Sequence, residues 1–170
     1  MNSLLTNKDL ILAVASAHRK EYSELLRKAC LNTELLSKYA SWSNKKYTRN
    51  CLYRDENLEL ILICWEPNQQ TSIHNHGGEE CWLGICNGEI EEQHFIDENG
   101  ALKLIQCETL AEGNISYMND KLGIHRLINN SDKRVMSLHL YAKPIDSCDF
   151  YCEDTKQFMT KSLQYDSKIE

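Results

Sequence analysis

The sequence predicts a mainly β protein, a sandwich or barrel of short strands preceded by helices. Apolar residues recur at helical spacing through the first 45 residues. From Tyr47 onwards the apolar residues alternate or form short continuous runs, as strands require. The pair Asn87-Gly88 separates two such runs and is the strongest short-range signal for a hairpin. Many short strands at even spacing are typical of sandwiches and barrels.

Each segment supports this prediction in order along the chain. Residues 1–45 form a helical N-terminal segment, whose apolar stripes we expect to face a core rather than a cofactor. Residues 46–150 form the β-barrel, and residues 151–170 form a polar C-terminal extension, all within one domain over 1–170. The expected strands cover 58–65, 81–86, 89–96, 101–107, 115–118, 122–128 and 134–141, with a last strand at 158–163.

Composition excludes several classes of function. The net charge of −6, without a basic tract, argues against a nucleic-acid partner. No apolar run reaches the roughly 20 residues that span a bilayer, and residues 1–17 do not read as a secretory signal. We therefore expect a cytoplasmic, monomeric protein that acts on a small molecule. Its eight cysteines should be reduced thiols, and the absence of a CxxC pair argues against structural zinc.

The stretch SIHNHGG at residues 72–78 is the most informative part of the chain. On a strand, His74 and His76 would point to the same face and could reach one divalent metal at ~2.0–2.1 Å. His125, in a second apolar strand, would supply a third imidazole. Three neutral imidazoles leave open coordination positions, which suit redox chemistry at iron better than a structural site. The alternative is a loop of surface histidines.

A second polar group shares one strand face: Ser137, His139 and Tyr141 alternate with leucines. Polar groups in a core need partners, and a hydrogen-bonded chain would provide them. The same face could equally lie outside the protein, where these residues would be ordinary.

Arg49 also permits two interpretations. Inside a barrel its planar guanidinium would need a carboxylate, and otherwise it is an exposed strand arginine. His18 and His94 have no comparable context, and we expect both to be exposed to solvent.

These motifs, taken together, resemble the thiol dioxygenases of the cupin superfamily, specifically the cysteine dioxygenase (type I) family. The matching motifs are YTRN at 47–50, ICW at 63–65, SIHNH at 72–76, LGIHR at 122–126 and SLHLY at 137–141. The resemblance implies a cupin-type β-barrel (jelly roll) that holds Fe(II) on His74, His76 and His125. It also implies that L-cysteine and O2 are converted to cysteine sulfinate.

The resemblance further implies a substrate pocket. Arg49 would clamp the carboxylate of cysteine, with Tyr47 helping. Cys148 matches a family cysteine at the mouth of the pocket, and Met159 matches a pocket methionine of some relatives. Relatives that act on mercaptopropionate carry glutamine at the position of Arg49, so the arginine favours cysteine. A mercaptopropionate-type thiol dioxygenase is the nearest alternative function.

The same resemblance assigns catalytic side chains. Ser137, His139 and Tyr141 would form a relay that ends at a phenol hydroxyl beside the iron. Cys81 stands where animal-type members have a cysteine joined to that tyrosine by a thioether, so a Cys81–Tyr141 cross-link is expected to be possible. The chain departs from the family after the tyrosine, where it reads Ala142-Lys143-Pro144.

Strand parity offers a competing interpretation. Simple alternation places Glu80 on the face of the two histidines and Cys81 on the opposite face. Glu80 or Glu79 would then be a fourth ligand, as in cupins that act as isomerases or as small-ligand binding modules without oxygenase activity. The dioxygenase interpretation needs a bulge at Gly77-Gly78 that reverses the parity.

Overall fold

The computed structural model describes residues 7–169, and its N-terminal part is helical. Helices α1 (Asn7–Ser16), α2 (Tyr22–Cys30) and α3 (Thr33–Ser37) are joined by short turns, one of them a 3-10 helix over Arg19–Glu21. The predicted N-terminal helices are therefore present, ending at residue 37 rather than 45. None of the described helices combines the length and the apolar character that crossing a membrane requires.

The rest of the described chain is mainly β, as predicted. It contains eleven strands: β1 (Thr48–Arg54), β2 (Glu59–Trp65), β3 (Cys81–Asn87), β4 (Glu89–Glu98), β5 (Ala101–Ala111), β6 (Ile115–Met118), β7 (Ile124–Ile128), β8 (Val135–Tyr141), β9 (Ser147–Cys152), β10 (Gln157–Ser162) and β11 (Ser167–Lys168). Gly88, with φ of +72°, makes the predicted turn between β3 and β4. The expected strands did not include β1, β11 or β9, whose alternation is weak, and the expected β5 ended four residues early.

The strands form three sheets. Six strands pair in the order β11-β1-β2-β8-β3-β6, three in the order β5-β4-β7, and β9 pairs with β10. The sheets do not close into one continuous barrel. A shared apolar cluster joins the six-stranded sheet to the three-stranded sheet, with Ile63, Leu83, Ile90 and Leu127 among its members.

The central strands β2 and β8 are buried on both faces. One face, which includes Leu62 and Leu138, packs in the cluster that contains the helices. The other face, which includes Ile61 and Ile63, points toward the three-stranded sheet. This double burial explains the continuous apolar run at 60–65. It also places Ser137, His139 and Tyr141 inside, so the alternative of an outer face for them is wrong.

Candidate metal centre

Three histidines converge at one point between the sheets. Ligand atoms of His74, His76 and His125 all lie within 4.8 Å of one another. The ring centroid of His125 is 4.7 Å from each of the other two rings, which are themselves 5.4 Å apart. Three imidazoles at these separations can bind one divalent cation.

The backbone brings the histidines together across two separate elements. His125 lies on β7, whereas His74 and His76 lie in the connection between β2 and β3 rather than in a strand. His74 and His125 exchange two backbone hydrogen bonds, with N···O distances of 3.0 and 3.1 Å. This isolated antiparallel bridge fixes the register of the two ligand-bearing segments.

The loop after His76 is held by Asp120, which sequence reasoning missed. Its carboxylate accepts hydrogen bonds from the backbone N–H of His76 at 2.7 Å and of Gly78 at 2.6 Å. Gly77 and Gly78 have φ of +61° and +90°, a conformation that side chains disfavour. A turn outside the strands, rather than a bulge within one, therefore reverses which way the following side chains face, and this is the outcome that the dioxygenase interpretation requires.

That reversal decides the position of Glu80. Its carboxylate pairs with Arg19 and accepts a hydrogen bond from the Tyr117 hydroxyl at 2.6 Å, so it points away from the histidines. Cys81 instead points inward and is buried. Among the described residues, the group that can hold a metal at this point contains only the three histidines. Expecting Glu80 on the histidine face was wrong, because alternation does not continue through the glycines.

The contacts of each Nδ1 atom determine which ring nitrogen of the histidine is free to bind a metal. Nδ1 of His74 is 2.9 Å from the Ser72 carbonyl, which only accepts, so this nitrogen carries the proton. Nδ1 of His125 is 2.6 Å from Oε1 of Glu92. Both rings therefore keep Nε2 free for a metal. The Nδ1 atom of His76 is buried without a hydrogen-bond partner and lies 3.9 Å from Asp120.

Burial keeps the rings of His74 and His76 neutral, the form that binds metals. Desolvation, reinforced by the neighbouring His125, lowers the pKa of His74 to about 3. The same two causes lower the pKa of His76 well below its usual value. Neutral ligands leave the charge of a bound cation uncompensated, so that charge remains available to act on a substrate.

Glu92 is the second residue that sequence reasoning missed. Its side chain is fully buried on β4. Burial by itself would raise the pKa of Glu92, but the hydrogen bond with His125 and the nearby imidazole of His94 outweigh it, so the pKa is lowered. The alternation with buried Ile90, two residues earlier, could have placed this carboxylate inside. His94 shares this face and is only partly exposed, so our expectation of a solvent-exposed His94 was wrong.

Arg49 lies on the wall of the same cavity, so the alternative of an exposed arginine is wrong. It is 8% exposed, and its Nε and Nη2 atoms are buried without a hydrogen-bond partner. Burial opposes its charge, but Tyr141 and Glu59 favour that charge, and the net effect raises the pKa of Arg49. A buried guanidinium with two unused donor atoms is a suitable partner for an incoming carboxylate.

A hydrogen-bonded chain lies on β8, in the same sheet as Arg49. The Trp65 indole N–H donates to Ser137 Oγ at 2.9 Å, and that hydroxyl lies 2.9 Å from Nε2 of His139. Because Ser137 already accepts from the indole, its own proton is available to His139. The His139 and Tyr141 rings stack with centroids 6.4 Å apart. The hydrogen-bonded chain thus runs from Trp65 through Ser137 to His139, and Tyr141 lies beside it.

The structure brings most of the predicted pocket residues together, but it does not bring Met159. Tyr47 and Cys148 line the cavity with the three histidines and Arg49. Met159 is 42% exposed on β10 and borders a different groove on the surface. The reason is that β10 pairs only with β9, and all of its residues are exposed.

Comparisons with known proteins show what this chain is similar to in sequence. The profile of the family "Cysteine dioxygenase type I" matches residues 8–154. Cysteine dioxygenase type 1 of Rattus norvegicus is 31% identical over 136 residues, which cover 77% of this chain and 68% of the rat protein. The Danio rerio protein of the same name is 28% identical over 174 residues, covering 99% and 87%.

Solved structures agree on the fold. A cupin superfamily protein from Desulfitobacterium hafniense superposes with a TM-score of 0.50 at 14% identity, covering 64% of this chain and 88% of that protein. At this identity the likeness concerns the fold alone, and it supports the predicted cupin-type jelly roll.

Proposed function

Because this chain belongs to the cysteine dioxygenase type I family, we propose that it is an iron-dependent thiol dioxygenase that converts L-cysteine and O2 to cysteine sulfinate. One observation carries the proposal. A set of three imidazoles with no carboxylate among them lies in the same cavity as a buried arginine that has two unpartnered donor atoms. The first feature suits a redox cation with open positions, and the second suits a substrate that carries a carboxylate.

The proposed metal is Fe(II), held by His74, His76 and His125. The residues fit this ion for two reasons. In His74 and His125 Nδ1 is engaged and Nε2 is free, and the ligand atoms of all three histidines lie within 4.8 Å of one another. When bound, the ion would lower the pKa of a substrate thiol and bring sulfur and dioxygen side by side. Glu92 would orient His125 and raise its basicity through the Nδ1 hydrogen bond.

Arg49 is the proposed anchor for the substrate carboxylate. Charge-assisted hydrogen bonds from its free Nε and Nη2 atoms would each contribute ~1.5–3 kcal/mol. Burial raises the pKa of Tyr47, so its hydroxyl keeps a proton that it can donate beside Arg49. Cys148 closes the cavity wall from β9. Because the substrate is already held in place, its translational and rotational entropy is lost on binding rather than in the reaction step.

The polar side chains of β8 would control protons around the reacting sulfur. Ser137 holds Nε2 of His139 as an acceptor, so the proton of that neutral ring lies on Nδ1. Burial, followed by the neighbouring Cys81, raises the pKa of Tyr141 well above its usual value. Tyr141 would therefore act as a phenol, a hydrogen-bond donor that orients the substrate, rather than as a phenolate.

The proposed activity is tested by measuring oxygen consumption and the oxidation of the thiol in one assay. Iron-loaded protein is incubated with L-cysteine in air and under anaerobic conditions, with oxygen uptake and product mass measured. We expect a product that has gained two oxygen atoms only in air. A binding protein without redox activity would give no mass gain, and faster turnover of mercaptopropionate than of cysteine would assign the other substrate.

Two variants test the metal centre in the same assay. His125→Ala should abolish both iron retention and product formation, since it removes one of three ligands. His18→Ala replaces a histidine on the exposed surface, before the first turn of the 3-10 helix, and should change neither. Full activity of His125→Ala would refute the proposed metal site.

A further inference from the structure

We propose that Glu92, His94 and Glu108 form a second site for a divalent transition-metal cation, next to the three-histidine centre. One ligand atom from each of these side chains lies within 4.8 Å of the others. The site is built on the hairpin of β4 and β5 and uses none of the three histidines. The proposal therefore stands independently of the proposed oxygenase activity.

The strand register places the three side chains on one face. Glu92 and Glu108 are directly opposite partners on β4 and β5, and His94 follows Glu92 by two residues. Carboxylates directly opposite each other repel and destabilise a sheet. Glu92 is also fully buried, which increases the cost of that repulsion. A cation between the two carboxylates would remove this conflict.

Two buried atoms point into the space without a hydrogen-bond partner. They are Oε2 of Glu92 and Nε2 of His94, which lie 3.5 Å apart. The other oxygen of Glu92, Oε1, is already used by His125, so Oε2 is the atom left over. Glu108 contributes Oε1, 3.9 Å from Nε2 of His94, and its side chain is 43% exposed. The cluster thus has a buried interior and one side through which an ion can enter.

The distances suit an ion better than a direct contact. Tetrahedral ligands at ~2.0–2.2 Å from Zn²⁺ are separated from each other by roughly 3.3–3.6 Å. The Glu92–His94 distance of 3.5 Å falls in this range, and the exposed Glu108 needs only a small movement. Two carboxylates and one imidazole form a donor set that Zn²⁺ and similar ions accept, with water completing the shell. The alternative to a metal ion is protonation of His94, whose charged ring would then form ion pairs with both glutamates.

The second ion would be coupled to the first centre through a single carboxylate. Glu92 would bind the ion through Oε2 while Oε1 holds Nδ1 of His125. Such carboxylate–imidazole contacts change metal affinity by about 10–100-fold. Glu92 is thus a positioning residue for one site and a ligand of the other.

The test counts Zn²⁺ bound per chain after equilibrium dialysis of the full-length protein. We expect two equivalents for the unmodified protein, and one for His94→Gln and for Glu108→Gln, with affinity at the lost site falling more than about 10-fold. Glu108→Gln changes a partly exposed surface residue, so folding should be unaffected. Glu98→Gln, at the exposed end of the same strand, is the matched control and should keep two equivalents.

A double variant, His74→Ala with His76→Ala, separates the two sites. It should lose the three-histidine site and keep one equivalent that disappears when Glu108→Gln is added. A single equivalent in the unmodified protein, or equal binding by the unmodified protein and Glu108→Gln, would overturn the proposal and leave a protonated His94 as the occupant. Neither count depends on turnover, so failure of the oxygenase assay would not affect this result.

Discussion

Cys81 and Tyr141 are directly opposite partners on the adjacent strands β3 and β8, and both side chains are buried on the cavity face. Side chains of such partners start from Cβ atoms ~4.5–5.5 Å apart. Burial raises the pKa of the Cys81 thiol far above its usual value, so the residue is not an activated thiolate. The two residues therefore lie against each other as a neutral thiol and a neutral phenol.

We predict from this contact that a thioether joins the two side chains during aerobic turnover with iron and cysteine. Forming the S–C bond removes one hydrogen from sulfur and one from the ring, with dioxygen as the oxidant. The intact mass should therefore fall by two hydrogens, and the linked peptides should be recovered together after digestion. Cys81→Ser should prevent this change, whereas Cys86→Ser, buried on the helix side of the same strand, should not. An unchanged mass in the unmodified protein would contradict the prediction.

Arg49→Gln should reduce kcat/KM for L-cysteine by at least about 100-fold, because it replaces two charge-assisted bonds to the carboxylate. Iron content should remain unchanged, since the arginine is not a metal ligand in our assignment. Steady-state oxygen uptake and metal analysis measure the two effects separately. Arg134→Gln, which removes an exposed arginine paired with Glu66, is the control. If Arg49→Gln turns over cysteine normally, the substrate assignment is wrong.

Gly77→Ala should weaken iron retention as well as stability. A Cβ atom at Gly77 would lie 3.0 Å from the Ser147 carbonyl oxygen, and φ is +61°. Gly100→Ala is a matched control, because its φ is +86° but no atom lies within 4 Å of the new Cβ. Both variants should lose ~1–2 kcal/mol of unfolding free energy from the backbone conformation. Only Gly77→Ala should also lose iron on dialysis, and equal iron content in the two would refute the role of this turn.

The metal-free protein should lose stability as the pH falls from about 7 to 5. His139 is buried and its pKa is lowered well below the usual value, first by desolvation and then by Arg49. Below ~6.5 the unfolded chain binds a proton on this residue that the folded chain does not, so the unfolding free energy falls by up to ~1.4 kcal/mol per pH unit. His139→Gln should make this dependence shallower in urea unfolding at the two pH values. An identical slope would contradict the prediction.

The sequence alone was sufficient to predict several features of this protein. The change of period at Tyr47 separated helices from strands, and Asn87-Gly88 marked the hairpin, because both signals depend on neighbouring residues. The HNH motif and His125 identified the three imidazoles that the structure brings together. The roles of the other site residues were inferred from several motifs that occur in the same order as in a known family, because no single motif specifies them.

The tertiary structure decided which face each polar side chain takes. Alternation could not assign Ser137, His139 and Tyr141 to the inside, because β8 is covered on both faces by elements distant in sequence. It misplaced Glu80, since the turn at Gly77 and Gly78 depends on Asp120, more than 40 residues away. Long-range contacts, rather than local periodicity, fix these orientations. The same reason hid the pairing of the two oxygens of Glu92 with His125 and His94 until the strands were placed side by side.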